Sequence, residues 1–562
     1  MIPAPAPVIP APAPPPRPVP VPPPAPAGAI PRRLLFVHAS KYLYLNPLTP
    51  APDRPRTAAR TLAEHWDVPA AGENDQLFVL SDALPPPAGR HLVKSVVETT
   101  FRRFFETSRA QDRIAVYFGG HVLELGEKAY LAPVDGDPED VTTLLPLDEF
   151  YTGLGACKAA QKVVVWDVCR YNPQRGRPRP GSEPMSETLY AALTAPPPGI
   201  EVIVTCRAGE NALEFSTAPS GARGTYSGSL FVEAVRSAAG ARPAGAKGPA
   251  PTDPIPTAEL IPDLTRRVTE LTKLAPAGGA PAQTIGAAGR PRDEPVRYDP
   301  AEPVAARFEL PSAPDGAPAD EIRALIREFA VPPIRTDAGG TDLADAPYRA
   351  DALKDYAPDV AVEEILKDKE KYPFRVAVVE ALDGVRGLWK APGGAGGLRV
   401  RGSCPAPVTE ALKRQLKGEQ DAWAIGIARL EVLNLRLDEL AKERAAQPPR
   451  WQAHYDYARA VLKSRLAYMQ EYDLAIGNVI TETLPELDAK LGHDAFALVP
   501  IETAKMKSKK AVKQLASDAA ALFAQLAAER KGTPWAVQAR RDMAVPLGLS
   551  WQPTATKGRP AP

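Results

Sequence analysis

Two short apolar segments, residues 114–118 and 162–168, constrain the fold more than any other part of the chain. They read IAVYF and KVVVWDV and are rich in Val and aromatic residues. Runs of this length and composition predict strands that are buried on both faces, as in parallel sheets. His121 follows the first segment after a Gly-Gly pair, and Cys169 directly follows the second. Because catalytic groups collect at the carboxyl ends of strands in open α/β sheets, the pattern predicts that the imidazole and the thiol face each other across a strand-end crevice.

The rest of the chain between residues 32 and 290 alternates between strand and helix patterns. Further strands are predicted at residues 34–38, 76–80 and 200–205, and helices at 57–66, 92–105, 147–154, 228–238 and 257–274. Strands that alternate with helices predict βαβ units and right-handed crossovers. The expected fold class is therefore α/β, with a mostly parallel sheet flanked by helices.

Six pieces of sequence follow one another between residues 32 and 289. They are DRIAVYFGGH, YLAPVDGD, KVVVWDVCR, IEVIVTCRAGENALEF, GSLFVEAV and a tail from TAELIPDLTRRVTEL to AQTIG. In order and spacing they resemble the caspase-like cysteine peptidases, which comprise caspases, metacaspases and bacterial orthocaspases (peptidase C14-like). The resemblance implies a caspase-like fold, proteolysis and a His121–Cys169 dyad. It also implies that the backbone N–H groups of Val122 and Cys169 hold the oxyanion.

The chemistry of His121 and Cys169 agrees with that implication. A free thiol is only a few per cent thiolate at neutral pH, and an adjacent imidazole raises the usable fraction. His121 would act as the base and later protonate the leaving amine. The alternative is that Cys169 is an inert buried cysteine and His121 a loop histidine. Their separation in sequence, close to the roughly 50 residues given for caspases, favours the dyad.

Asp167 is predicted to bind substrate. Residues i and i+2 of a strand share a face, so the side chains of Asp167 and Cys169 should point the same way. A carboxylate there would receive a basic P1 side chain, and the resemblance to metacaspases implies the same preference. Metacaspases carry a further acid after the next strand, where Glu210 is the nearest acid here. The alternative is that Asp167 accepts hydrogen bonds from nearby loop N–H groups.

Departures from the family pattern support a second hypothesis. The usual His-Gly pair is His121-Val122 here, and Val resists positive φ angles. Cys169 is followed by RYNP instead of the His-Ser-Gly of metacaspases, and the caspase pattern Gln-Ala-Cys-x-Gly is absent. These features leave open a catalytically degenerate pseudoenzyme that serves as an interaction scaffold.

The polar segment after Cys169, RYNPQRGRPRPGSEP, is expected to be exposed and open to cleavage. In the caspase-like group this connection is often cut. Arg177 and Arg179 each precede Pro, which removes the leaving N–H, and Arg170 adjoins the nucleophile. Arg175, followed by Gly, is therefore the predicted autoprocessing position.

Composition and periodicity divide the chain into six regions. They are a Pro-rich disordered tail (1–31), the caspase-like domain (32–290), a linker (291–320), a mixed or helical region (321–404), a helical hairpin or bundle (405–552) and a tail (553–562). Long helices are predicted at 408–446 and 451–481, where apolar residues recur every three or four positions. This spacing is typical of an antiparallel hairpin with coiled-coil-like packing. By elimination, a protein partner is expected at this C-terminal region.

Charge and cysteine content exclude several classes of protein. The 68 Lys and Arg residues nearly balance the 67 Asp and Glu residues, so neither a nucleic-acid nor a membrane partner is expected. No stretch approaches the ~20 apolar residues of a membrane span, and the N-terminus lacks the features of a signal peptide. Four scattered cysteines without a CxxC pair predict neither a disulfide scaffold nor a metal site, which favours a reducing compartment and a cytoplasmic location. No cofactor is expected, and a calcium requirement is left open.

Overall fold

The computed structural model describes most of the chain from residue 32 onwards. The described residues are 32–45, 47–48, 54–70, 75–84, 91–171, 183–213, 229–240, 255, 260–272, 283–290, 308–311, 317–334, 342–346, 348–388, 398 and 400–555. The predicted Pro-rich tail, residues 1–31, and the predicted cleavage position Arg175 lie outside these ranges.

A largely parallel sheet forms the centre of the N-terminal part. Its strands are β1 (Arg32–His38), β2 (Leu77–Ser81), β3 (Arg113–Leu125), β4 (Lys128–Leu131), β5 (Leu145–Pro146), β6 (Gln161–Tyr171), β7 (Glu201–Val204) and β8 (Gly286–Ala288). The order across the sheet is β2-β1-β3-β6-β7-β8, and the pairs from β2 to β7 are parallel. Strand β8 is antiparallel to β7, and β4 extends the sheet beside the end of β3. The predicted α/β class is therefore confirmed for this part.

Helices cover both faces of this sheet. They are α1 (Arg54–His65), α2 (Lys94–Glu106), α3 (Leu147–Ala156), α4 (Glu187–Leu193), α5 (Leu230–Gly240) and α6 (Ile261–Thr272). Successive strand residues point to opposite faces. Thus Leu34 and Phe36 of β1 join the apolar core of α1, α5 and α6, whereas Leu35 and Val37 join that of α2, α3 and α4. Burial on both faces explains why the strands read as continuous apolar runs.

The C-terminal part is mainly helical, and one large core holds most of the buried apolar residues in its described ranges. Its helices are α7 (Ala319–Phe329), α8 (Ala350–Leu353), α9 (Val362–Lys367), α10 (Pro373–Leu388), α11 (Glu410–Glu439), α12 (Pro449–Ile480), α13 (Lys510–Glu529) and α14 (Pro534–Met543). Helix α12 packs against α10, α11, α13 and α14, so it is buried on nearly every side. The core joins residues from both predicted regions, 321–404 and 405–552. None of the helices in the described ranges is long and apolar enough to cross a membrane.

A small antiparallel sheet in the C-terminal part was not predicted from the sequence. It consists of β9 (Ser403–Pro405), β10 (Ala495–Ile501) and β11 (Gly548–Thr554), in the order β11-β10-β9. Pro500 and Pro553 lie within its strands, and Pro inside an apolar run argues against a strand. Both prolines are tolerated because β11 is an edge strand and β9 pairs only with the first residues of β10. The predicted mostly helical C-terminal region is thus confirmed, with this small sheet as an addition.

Candidate functional site

The sheet brings His121 and Cys169 side by side. Strands β3 and β6 are adjacent and parallel, and their register pairs His121 with Cys169 directly. Neighbouring strands lie about 4.8 Å apart, so the two backbones are in contact distance. Both residues lie within the strands rather than just after them, because β3 continues to Leu125 and β6 to Tyr171. The adjacent parallel strands β1 and β7 have already ended at this level, so the pair lies at the carboxyl end of the parallel sheet, where β4 takes the place of β1 beside β3.

The imidazole of His121 is held between aromatic rings. The ring centroid of Tyr42 lies 4.7 Å away, and that of Tyr171 lies 5.6 Å away on β6. The backbone N–H of His121 donates to the Tyr42 hydroxyl at 2.7 Å, and its C=O accepts from Ala132 N–H at 3.0 Å. His121 is buried. Its position is therefore fixed by both backbone bonds and ring packing.

A small crevice opens beside Cys169. Among the described residues it is lined by His38, Leu48, Tyr117, Gly119, Gly120, Asp167, Cys169, Ala212, Leu213 and Ser229. Cys169 is the one cysteine of the four that is partly exposed; Cys157, Cys206 and Cys404 are buried. The crevice thus brings Cys169 and Asp167 together, as the i, i+2 spacing predicts, whereas the described lining does not include His121.

The carboxylate of Asp167 accepts three side-chain hydroxyls. Its Oδ2 accepts from Tyr117 at 2.5 Å and from Ser229 at 2.5 Å, and its Oδ1 accepts from Thr205 at 2.8 Å. A carboxylate offers about four acceptor positions, so roughly one remains. Thr205 and Ser229 could not be predicted as partners of Asp167, because isolated hydroxyl residues show no periodicity in the sequence.

The two glycines before His121 are needed for close packing. A Cβ atom at Gly119 would lie 2.8 Å from Cδ2 of His38, and one at Gly120 would lie 2.5 Å from the hydroxyl oxygen of Tyr42. Neither neighbour is free to move away, since both side chains are buried. The Gly-Gly pair therefore allows His38 and Tyr42 to approach β3.

Burial keeps two titratable groups near Cys169 neutral at pH 7. It lowers the pKa of His38 to about 4. The thiol pKa of Cys206 is raised, chiefly by burial and further by the neighbouring Cys169 and Asp167. Cys206 is therefore a poor nucleophile at neutral pH.

The backbone N–H groups of Val122 and Cys169 point into the hydrogen-bond ladder between β3 and β6. The N–H and C=O groups of His121 face the side of β3 away from β6, where Tyr42 and Ala132 bind them. Alternate strand residues face opposite neighbours, so the N–H of Val122 points toward β6. By the same register, the N–H of Cys169 points toward β3. Their oxyanion role stays a prediction, and it requires this end of the ladder to open.

Glu210 is engaged in fixing its own loop. Its carboxylate accepts the backbone N–H of Arg207 at 2.9 Å, and it also accepts both the N–H and the hydroxyl of Thr284 at 2.7 Å. The described lining of the crevice does not include Glu210. A contact between Glu210 and substrate would thus require these bonds to be exchanged.

Arg170, directly after Cys169, is paired with acids on both sides. Its guanidinium lies 3.6 Å from Glu124 and 3.5 Å from Glu183. Its backbone C=O also accepts the N–H of Glu183 at 3.0 Å. These contacts hold the last residues of β6 against β3. The predicted cleavage position Arg175 lies outside the described residues.

Comparisons with known proteins give no identification. No protein-family model matches this chain, and no curated protein matches it. Within the described ranges, no group of three or more His, Cys, Asp or Glu residues could hold a metal ion.

Proposed function

We propose that the protein is a cysteine endopeptidase in which Cys169 is the nucleophile and His121 is the base. The observation that carries this proposal is the register of β3 and β6, which sets the two residues side by side beyond the ends of β1 and β7. Cys169 is also the cysteine that reaches a crevice, whereas the other three are buried. An imidazole next to a partly exposed thiol is the arrangement that cysteine nucleophiles require.

The reaction would proceed through an acyl-enzyme. His121 takes the proton of Cys169, and the thiolate sulfur attacks the peptide carbonyl carbon. The imidazolium then gives that proton to the leaving amine, which breaks the C–N bond. Water, deprotonated by His121, hydrolyses the thioester and restores the thiol. The N–H groups of Val122 and Cys169 would stabilise the oxyanion after leaving the ladder.

The carboxylate of Asp167 supports a preference for Arg or Lys at P1. It lines the same crevice as Cys169, and three hydroxyl donors leave about one acceptor position for a substrate cation. A guanidinium or ammonium group would form a charge-assisted bond there. We further propose a protein or peptide substrate, and a protein partner for the C-terminal helical part.

The second candidate is a caspase-like pseudoenzyme that acts as an interaction scaffold. It is favoured by the ladder, which directs the N–H groups of Val122 and Cys169 between β3 and β6. It is also favoured by His121, which is buried and does not belong to the described lining of the crevice.

The deciding experiment is peptide hydrolysis by Cys169→Ala and His121→Ala, together with labelling by a thiol-directed covalent probe that carries a basic P1 residue. Both variants should lose hydrolysis and keep the wild-type circular dichroism spectrum. Cys404→Ala is the matched control, since it removes a buried thiol from the C-terminal part and should leave hydrolysis unchanged. Wild-type hydrolysis by Cys169→Ala would refute the dyad. Folded wild-type protein that neither cleaves peptides nor reacts with the probe would support the scaffold.

A further inference from the structure

The backbone of His121 is held by two loops. The first, residues 39–45, follows β1 and is called the Tyr42 loop here; its tyrosine hydroxyl accepts the N–H of His121 at 2.7 Å. The second, residues 132–140, follows β4 and is called the Ala132 loop; the N–H of Ala132 donates to the C=O of His121 at 3.0 Å. Both backbone polar groups of His121 thus depend on loops rather than on a neighbouring strand.

The two loops are also joined to each other and to the sheet. The N–H of Leu43 donates to the C=O of Val134 at 2.8 Å, which links the Tyr42 loop to the Ala132 loop. At its start, the Tyr42 loop is fixed by Asp82, whose carboxylate accepts the N–H groups of Ser40 and Lys41. The segment around Tyr42 is consequently held at both ends.

The C-terminal part contacts both loops through α14 and the turn before it. Arg541 donates from Nε to the C=O of Leu43 at 3.0 Å. On the Ala132 loop, Arg540 lies 3.5 Å from Asp137, and Lys531 lies 3.0 Å from Asp140. Arg540 also contacts Glu139. The loops that hold His121 are therefore the ones to which α14 binds.

Apolar packing reinforces the contact at Leu43. This side chain is buried in a small cluster formed with Ile322, Leu343, Ala346, Tyr348 and Val537. Apart from Leu43, these residues belong to the C-terminal part. Burial lowers the pKa of Arg541, and its guanidinium remains bound to the Leu43 carbonyl within this region. Undocking α14 would break that hydrogen bond and expose the apolar cluster to water, which is costly.

A shift of Leu43 would be transmitted to His121 because Tyr42 is the adjacent residue. Tyr42 is fully buried, and its hydroxyl oxygen lies so close to Gly120 that a single Cβ atom would not fit between them. A tightly packed ring has few alternative positions. Displacement of the loop would therefore break the hydrogen bond to His121 or tilt the imidazole against which the ring packs.

We propose that Tyr42 is a positioning residue for His121 and that the C-terminal helical part, docked through α14, keeps Tyr42 in place. The inference rests on the proposed function only in assigning His121 as the base. It gives the C-terminal part a direct effect on the site, so that a partner that competes with the α14 contact would change the reactivity of Cys169.

The first test is Tyr42→Phe in the full chain. This variant keeps the ring and removes the acceptor for the His121 N–H. We expect kcat for a peptide to fall about tenfold with KM unchanged, because only the geometry of the base is altered. We also expect the pH profile of Cys169 alkylation by iodoacetamide to move upward by about one unit, because a misplaced imidazole stabilises the thiolate less. The control is Tyr455→Phe, which removes a buried hydroxyl bond to the Leu437 C=O in the C-terminal part.

The second test removes the α14 contact with Arg540→Met/Arg541→Met, which keeps the apolar stems of both side chains. The matched control is Arg436→Met, because Arg436 forms an ion pair with Glu380 elsewhere in the C-terminal part. The double variant should shift the alkylation profile in the same direction as Tyr42→Phe. If both changes act through the position of His121, adding Tyr42→Phe to the double variant should shift the alkylation profile by less than the sum of the two separate shifts.

The alkylation readout separates this inference from the proposed function, because it does not require peptide hydrolysis. The labelled site is identified by peptide mass spectrometry, and the neighbouring groups Asp167, Cys206 and His38 are the same in every variant. If the wild type cleaves no peptide, yet both Tyr42→Phe and Arg540→Met/Arg541→Met shift the alkylation profile, the inference is sustained and the endopeptidase is refuted. A Tyr42→Phe variant with wild-type kcat and alkylation profile would overturn the inference. A shift in Tyr42→Phe without one in Arg540→Met/Arg541→Met would overturn the contribution of α14.

Discussion

The hydroxyl of Ser229 donates a hydrogen bond to Oδ2 of Asp167 at 2.5 Å, although 62 positions separate the two residues in the sequence. Tyr117 donates to the same oxygen, and Thr205 donates to Oδ1. The carboxylate is thereby oriented in the crevice beside Cys169, with its less occupied oxygen on the side of Thr205. The position of the Asp167 carboxylate is therefore fixed by hydrogen bonds. The donors in these bonds are side-chain hydroxyls, whereas the alternative prediction named loop N–H groups.

Asp167→Asn is predicted to lower kcat/KM for substrates with Arg or Lys at P1 by roughly ten- to a hundredfold. A charge-assisted bond contributes about 1.5–3 kcal/mol, and the amide removes both the charge and one acceptor oxygen. The measurement is steady-state hydrolysis of matched peptides that differ only at P1. Ser229→Ala is the control, because it keeps the carboxylate and removes one of its donors. A peptide library cut after Asp instead of after basic residues would refute this preference.

The burial of His38 predicts that the free energy of unfolding of the protein depends on pH. Its pKa is lowered by burial to about 4, whereas the unfolded side chain titrates near 6.5. Between these values the unfolded chain binds more protons than the folded one, so the free energy of unfolding falls as the pH falls. The full effect is roughly 3 kcal/mol, reached below about pH 4.

The measurement is denaturant unfolding of wild type and His38→Leu between pH 7 and pH 4. Other buried groups also titrate in this range, so the informative quantity is the difference between the two proteins. The wild type should lose more stability than the variant as the pH falls. Parallel curves for the two proteins would mean that His38 is charged in the folded state or exposed to water.

The sequence predicted the centre of the sheet because burial on both faces leaves a continuous apolar run, which needs no knowledge of distant residues. It did not predict that β3 continues through Gly119 and Gly120, since Gly weakens a strand pattern. That extension depends on β4 and on the hydroxyl of Tyr42, which supply hydrogen bonds from elsewhere in the chain. Tyr42 and Ser229 were missed for the same reason: each acts on a partner far away in the sequence.

The C-terminal part is predicted to fold alone when its whole core is present. A fragment of residues 405–552, the helical region that the sequence predicts, lacks α7 and α10 and thus the core residues Phe329, Val378 and Val385. A fragment of residues 317–555 keeps them and should unfold cooperatively, as monitored by circular dichroism. The shorter fragment should be less stable, since it exposes one side of α12. Equal stability of the two fragments would show that α7 and α10 add nothing to the core.

The loop after β6 is predicted to be cut by the protein itself between Arg175 and Gly176. The residues that flank this segment are bonded to each other. Glu183 donates its N–H to the C=O of Arg170, so a cut between these two residues would leave the resulting pieces joined by this hydrogen bond. Arg170 is paired with Glu124 and Glu183 and is therefore not offered as a P1 residue.

Intact-mass spectrometry of purified protein over time checks this prediction. Wild type should slowly yield two fragments that correspond to cleavage after Arg175, because Gly at the next position leaves the leaving N–H accessible. Cys169→Ala should stay whole, and Arg175→Ala should be cut more slowly or elsewhere. Identical fragments from wild type and Cys169→Ala would indicate a contaminating protease. If wild type stays intact under every condition, calcium included, the result favours the scaffold, since a closed ladder at Val122 and Cys169 would then describe the functional state.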